Sequence, residues 1–259
     1  MTWLVPCFHV LLLFGEPTIS LQGNRIVDLS HDFSEKTLYW PTAQTFTLQE
    51  DFKGTTDKGF HYEANTFKAA EHGGTHLDAP NHFAAGRWSS EQIPLDRLIG
   101  AAVVIDVRDK CAENRDYQVQ TSDFEAWEKK NGRLPKGVIV LLHTGMGKHW
   151  PDAERYLGTA ERGPQAVPKL HFPGLHPQAA EWLVTHRSIH AIGLDTPSID
   201  YGQSTLFESH QILFKANIPA FENVANLDQL PAKGASVIAL PMKIKGGSGG
   251  PLRIIALLP

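Results

Sequence analysis

His72-Gly73-Gly74-Thr75-His76-Leu77-Asp78-Ala79-Pro80-Asn81-His82 places three histidines and an aspartate within eleven residues, at offsets 0, 4, 6 and 10. Imidazole and carboxylate are the usual protein ligands of zinc, manganese and iron. The spacing does not suit a helix, because offset 6 lies well round the cylinder from offsets 0 and 4. Two glycines and a proline also make a helix costly there. All four offsets are even, so in extended chain the four side chains point the same way. A straight strand would spread ten steps over roughly 33 Å, whereas the ligands of one ion lie within about 2 Å of it. The chain is therefore expected to fold back at Gly73-Gly74 and Ala79-Pro80. The competing reading is a surface loop of a chain that has 13 histidines in all.

The segment preceding this stretch, His61 to Lys68, alternates as a strand and is expected to deliver the chain to it. Thr45 to Phe52 forms a partner strand across a glycine-bearing loop. Arg25 to Ser30 reads as a first strand. After the histidine stretch, Gly100 to Val107, Gly137 to Leu142 and Ile189 to Leu194 are short apolar runs, expected to be strands buried on both faces. Between them, Ser122 to Lys130 reads as a helix with Ser122 and Glu125 at capping-box spacing and Gly132 as its stop. Pro177 starts a second helix running to His186. Leu206 to Ala216 looks helical and carries His210, and Pro219 to Glu222 brings back a carboxylate. Ala235 to Leu240 and Leu252 to Leu258 are further strands around a Gly246 to Gly250 loop. His149-Trp150-Pro151 falls in a long polar loop suited to covering a pocket. No repeat or linker interrupts the pattern, so a single α/β domain spanning residues 21 to 259 is expected.

The full chain has 259 residues, 42% apolar and 20% charged, with net charge -4. That balance gives no electrostatic reason to expect nucleic acid or an anionic membrane as partner. Residues 1 to 20 stand apart. Leu4 to Phe14 is apolar except for Pro6 and His9, too short to span a bilayer, and Thr18-Ile19-Ser20 supplies small residues for a peptidase. This reads as a secretory signal peptide cleaved near Ser20, although its start carries no Lys or Arg. The alternative is a disordered or docked tail. The expected location is outside the cell or in the secretory-pathway lumen. Of the two cysteines, Cys7 lies in the leader, which leaves Cys111 without an internal disulfide partner.

The histidine stretch resembles the signature His-x-Gly-Thr-His-x-Asp-x-Pro-x-His of the metal-dependent cyclase-like hydrolases, a family that includes isatin hydrolase and bacterial-type kynurenine formamidase. The resemblance extends over residues 25 to 257, including Gly193 to Ser198 and Lys243 to Gly247. It implies a mixed sheet of the swivelling β/β/α type with flanking helices. It further implies that His72, His76 and Asp78 are metal ligands and that His82 is the general acid/base. His210 and Glu222 are then ligands of a second ion, or pocket and supporting groups in one-metal members. Trp40, before Pro41, becomes a candidate substrate contact. The implied cofactor is Mn2+ or Zn2+, one or two per subunit, in a homodimer or higher homo-oligomer.

A cation held by neutral imidazoles and a carboxylate lowers the pKa of bound water toward neutrality. Attack on an amide carbonyl then needs a proton carrier to the leaving nitrogen, a task suited to His82. Three readings follow. The first is hydrolysis of a cyclic amide such as isatin, toward which the run from His82 to Gly100 leans. The second is the same chemistry on N-formylkynurenine, and the third is a secreted metal-binding or scaffold protein without turnover. Gly246-Gly247-Ser248-Gly249-Gly250 also fits the Gly-x-Ser-x-Gly of serine hydrolases. That fold requires a histidine after the serine and a helix following it, and the last histidine here is His210. A flexible turn or pocket edge is the expected role of the loop.

Overall fold

The computed structural model describes residues 25–259. The proposed leader, residues 1 to 20, lies outside them. In chain order, strands β1 (Arg25–Asp28), β2 (Thr47–Thr55), β3 (His61–Lys68), β4 (His76–Asp78) and β5 (Ile99–Asp106) lead into helix α1 (Arg108–Glu113). There follow β6 (Gln118–Val119), α2 (Thr121–Asn131), β7 (Ile139–His143), α3 (Ala153–Leu157), β8 (Gly174–Leu175) and α4 (Pro177–His186). The chain ends through β9 (Ala191–Leu194), α5 (Glu208–Lys215), β10 (Ala220–Glu222), β11 (Lys233–Pro241) and β12 (Gly249–Leu258).

The expected mixed sheet is present, and it closes on itself. Its order runs β12-β11-β5-β7-β9-β10-β4, and β4 pairs back onto β12 through Asp78↔Gly249, Leu77↔Gly250 and His76↔Pro251. The result is a barrel-like ring of seven strands, with β1 paired to the far half of β12. Strands β5, β7, β9 and β10 are parallel; β4, β11 and β12 run antiparallel to their neighbours.

Alternation along each strand explains two cores. In β7, Ile139 and Leu141 join Leu77, Phe221, Val237 and Ile254 in one cluster. Val140 and Leu142 face the other way, against Phe124, Leu183 and Phe214 of the helices. A strand covered on both faces needs apolar residues at every position, hence the unbroken runs.

Two expectations need correction here. The β2–β3 hairpin is a separate two-stranded ribbon. It leaves Leu48, Phe52, Tyr62 and Phe67 exposed, so the strand expected to deliver the chain to the ligand stretch lies outside the main sheet, and β4 itself carries His76 and Asp78 within the ring. Helix α2 starts before the expected cap. Asp123, not Glu125, reaches back, accepting from Gln120 N at 2.8 Å, from Tyr117 Oη at 2.8 Å and from Lys110 Nζ at 2.5 Å. Its stop is as expected, with Gly132 N donating to Glu128 O at 2.8 Å.

Candidate metal centre

Strand β4 is three residues long, with Leu77 in the core and His76 and Asp78 on the opposite face, as period-2 geometry requires. Across the ladder, Glu222 stands opposite His76 and Ala220 opposite Asp78. Directly opposed residues share a face, so the β4–β10 pairing brings the Glu222 carboxylate to His76. Gly74, at φ +59°, turns the chain ahead of β4 and lets His72 fold back; an L side chain there would be strained. His72 Nδ1 then lies 2.6 Å from Asp78 Oδ1. Gly249 leaves room for that imidazole: a Cβ at this position would stand 2.6 Å from His72 Cε1.

His76, Asp78, His210 and Glu222 are each 2–3% exposed. The His76 Nδ1–H donates to Gly74 O at 2.9 Å, so Nε2 is the nitrogen turned inward. That atom is 3.1 Å from Asp78 Oδ1 and 3.4 Å from Glu222 Oε2, yet it is buried without a hydrogen-bond partner. His210 is set similarly. Its Nδ1–H donates to Asp200 Oδ2 at 2.5 Å, and Nε2 faces Asp78 Oδ2 at 3.3 Å and Glu222 Oε1 at 3.2 Å. Asp200 also accepts Ser209 N and His210 N at the start of α5, and Glu222 Oε1 accepts Ile199 N at 2.8 Å.

Burial alone lowers the proton affinity of His76, but Asp78 and Glu222 outweigh it and push the pKa up to about 9. Burial likewise lowers His210, while Asp200, Asp78 and Glu222 drive it well above the ordinary value. Glu222 is raised by burial and by the like charge of Asp78. Asp78 is held well below its usual range because the surrounding histidines overcome its burial. Without a cation these carboxylates therefore hold a proton on each inward-facing Nε2, and a divalent cation would take the place of those protons, which metal binding releases. Two triads have mutually close donor atoms among the described residues: His72, Asp78 and His82, and His76, Asp78 and Glu222. Asp78 belongs to both.

His82 follows β4 in a single 3-10 turn opened by Pro80. Its ring stacks on His72 with centroids 3.8 Å apart, while the residue stays open to solvent. Burial of part of the ring pushes its pKa down to about 4; Asp78 opposes this, and His72, His210 and His76 add to it.

These groups floor a cavity of about 290 Å³ whose walls include Leu38, Trp40, Phe83, Pro197 and Phe207. Trp40 stands edge-on to Phe172 and Phe207, and Phe83 packs 4.6 Å from the His210 ring. All seven residues singled out in the sequence (Trp40, His72, His76, Asp78, His82, His210 and Glu222) therefore border one pocket. The His149-Trp150-Pro151 segment does not: Trp150 stacks on His31 instead, at 4.2 Å. His143 lines a different cavity with Arg108 and Lys148. Sequence reasoning missed Asp200, Glu71 and Ser248 as partners of the histidines. Asp200 lies two residues beyond the Gly193 to Ser198 segment of the resemblance, and nothing in one sequence marks it as a histidine acceptor.

The Cyclase family model, described as putative cyclase, matches residues 27–201. The chain belongs to this family. An isatin hydrolase of Roseibium aggregatum is 32% identical over 242 residues, covering 90% of this chain and 87% of that protein. A kynurenine formamidase of Salinibacter ruber is 27% identical over 230 residues, covering 89% and 96%. Among solved structures, isatin hydrolase A from Ralstonia solanacearum superimposes with a TM-score of 0.82 at 34% identity, covering 91% and 92% of the two chains. An isatin hydrolase bound to the product analogue thioisatinate gives 0.80 at 29% identity, covering 91% and 93%. The family resembled by the histidine stretch is thus the one whose model matches residues 27–201.

Proposed function

We propose that this cyclase-family chain is a metal-dependent hydrolase of amide bonds that opens a cyclic amide of the isatin type. The observation that carries the reading is the unpartnered, buried Nε2 of His76 among Asp78, His210 and Glu222 at the floor of an aromatic-walled cavity. At about 290 Å³ the cavity is at the small end of ligand sites, which run from roughly 300 to 1,000 Å³. A compact, flat bicyclic amide suits it, with Trp40, Phe83 and Phe207 against its faces.

In this proposal His72, His76 and Asp78 hold a divalent cation, Mn2+ or Zn2+. Glu222 and His210 hold a second ion or complete the site of one. When bound, the cation supplies Lewis acidity that acidifies water and stabilises the charge developing on the amide oxygen. The protein's own part is proton management. His82 borders the pocket and stacks on His72, which places its imidazole to accept the proton of the attacking water. It then delivers that proton to the departing amide nitrogen, which leaves poorly as an anion. Asp200 keeps the His210 Nδ1–H outward, so Nε2 stays turned to Asp78 and Glu222.

The test is hydrolysis of isatin and of N-formylkynurenine by the metal-loaded protein, beside a chelated sample and His82→Ala. The expected outcome is isatin turnover that is lost on chelation. In the variant it should fall by about 10²- to 10⁴-fold, the usual contribution of a positioned proton carrier. Turnover of N-formylkynurenine alone would move the substrate to the open-chain formamide, the reading that the formamidase relatives favour. Cation binding without turnover of either would leave a metal-binding protein.

Three further points are proposals of the same kind. The exposed Leu48, Phe52, Tyr62 and Phe67 of the β2–β3 ribbon suit burial against a second copy, and Phe52→Lys would then shift a dimer toward monomer in sedimentation. The leader directs the chain into the secretory pathway, which N-terminal sequencing of exported protein checks. The swivelling β/β/α description of the ring rests on its mixed sheet and flanking helices.

A further inference from the structure

We infer that Ser248 and Glu71 form a positioning pair that decides which nitrogen of His72 faces the cation site. The inference rests on the proposed metal site and adds two residues to it. Ser248 N and Oγ both reach Glu71 Oε2, at 3.0 and 2.7 Å, and His72 Nε2 lies 2.8 Å from the same Oγ. A carboxylate only accepts, so the single hydroxyl proton of Ser248 goes to Glu71. The Ser248 oxygen is then left to accept, and the His72 Nε2 must carry a hydrogen to donate to it. In a neutral imidazole one nitrogen is the donor and the other the acceptor. Nδ1 therefore bears the lone pair, and it points at Asp78 Oδ1, 2.6 Å away. Two acceptor atoms at that distance repel unless a proton or a cation lies between them. The pair thus presents His72 to the ion through Nδ1, while His76 and His210 present Nε2.

The serine is held firmly enough for this task. Ser248 O accepts Ala79 N at 2.8 Å, directly after β4, and the adjoining Gly247 O and Gly249 O accept Ser90 N and Ser90 Oγ at 3.0 and 2.9 Å. The loop expected to be a flexible turn is therefore tied down on both sides. Outer partners of metal-bound histidines orient the ring and raise its basicity, and their loss typically costs 10- to 100-fold in affinity.

Asp78, His72 and Ser248 are also strung in the order of an Asp-His-Ser triad. The surroundings argue against a nucleophile. Ser248 does not border the pocket, its proton is committed to Glu71, and β12 rather than a helix follows it.

The experiment measures Zn2+ affinity of the metal-stripped protein by competition with a chromophoric chelator, for wild type, Ser248→Ala, Glu71→Ala and Glu71→Gln. The expected result is a Kd raised about 10- to 100-fold in the two alanine variants. Glu71→Gln should stay near wild type, because its amide oxygen still accepts the serine hydroxyl. Turnover should return in Ser248→Ala at saturating Zn2+. In 15N spectra of the loaded wild type, His72 should be bound through Nδ1 with its Nε2 protonated. Unchanged affinity in both alanine variants would overturn the inference, as would His72 bound through Nε2. So would turnover that stays absent in fully loaded Ser248→Ala, which would show that the serine does more than set cation affinity. A wild type that binds no divalent cation would instead sink the metal-site reading beneath it. If Ser248→Ala does not fold, the contrast between Glu71→Ala and Glu71→Gln carries the same decision.

Discussion

His31 gives a stability prediction that can be worked from the structure. Its ring stacks on Trp150 at 4.2 Å with planes 10° apart, and its Nε2 is buried without a partner. Burial pushes its pKa from 6.5 down to about 4, against the pull of Asp32 and Asp28. In the unfolded chain the imidazole titrates near the ordinary value of about 6.5. Between these values the unfolded state binds the extra proton, so stability increases with pH. The contribution is complete above the unfolded pKa and is lost as pH falls through 6.5 toward about 4. The full window amounts to about 3 kcal/mol, and the part between about pH 7 and about pH 5 to about 2 kcal/mol. His31→Phe keeps a ring against Trp150 and removes the titration. Urea unfolding of both proteins, metal-stripped, at the two pH values isolates this group, because every other histidine is common to both. Wild type should lose about 2 kcal/mol more than the variant on acidification. Equal losses would show that the His31 imidazole is protonated in the native state and that the burial argument is wrong.

Other outcomes follow from single contacts. Asp195 is 3% exposed and accepts Thr144 N and Oγ1 at 2.8 and 2.7 Å, Gly145 N at 2.9 Å and Gly147 N at 3.2 Å. Asp195→Ala orphans those donors and should cost about 2–4 kcal/mol in denaturant unfolding; a loss under 1 kcal/mol would mean that water replaces the carboxylate. Gly249→Ala should cost about 1–3 kcal/mol and weaken cation binding, since the added carbon meets both His72 Cε1 and Leu77 O at 2.6 Å. Unaltered affinity would show that the His72 ring can move aside. Chelation should lower the unfolding temperature, because a cation that binds only the native state adds about 2.7 kcal/mol at a hundred times its Kd. No shift on reloading would argue against ligation by the buried Asp78 and Glu222.

The strands were legible where burial on two faces left an unmistakable pattern. Gly100 to Val107 became β5 and Gly137 to Leu142 became β7, with ends displaced by one or two residues. The β2–β3 hairpin was legible as a hairpin but not in its placement, since its alternation does not say which body, if any, receives its apolar face. Ring closure was not legible. It depends on three residue pairs between β4 and β12, some 170 positions apart in sequence, and neither strand alone signals its partner. The cluster from His72 to His82 announced itself because its groups are close in sequence. His210 and Glu222 needed the family resemblance, because only the β4–β10 pairing and the packing of α5 bring them to His76.

The partners of the histidines explain why ligand identity alone does not build this site. Each of three imidazoles is pinned by its outer nitrogen, and each pin comes from a different segment. Gly74 O holds His76 from the turn before β4, Asp200 holds His210 from the loop after β9, and Ser248 holds His72 from the loop before β12. Local sequence supplies only the first. The second needs the start of α5 docked on the loop after β9, where Asp200 also accepts Ser209 N and His210 N, and the third needs β12 paired with β4, the contact that closes the ring. Closing the sheet and orienting the third imidazole are therefore one structural event. A substitution that loosens the β4–β12 pairing should be felt first as weaker cation binding, with the two apolar cores still intact.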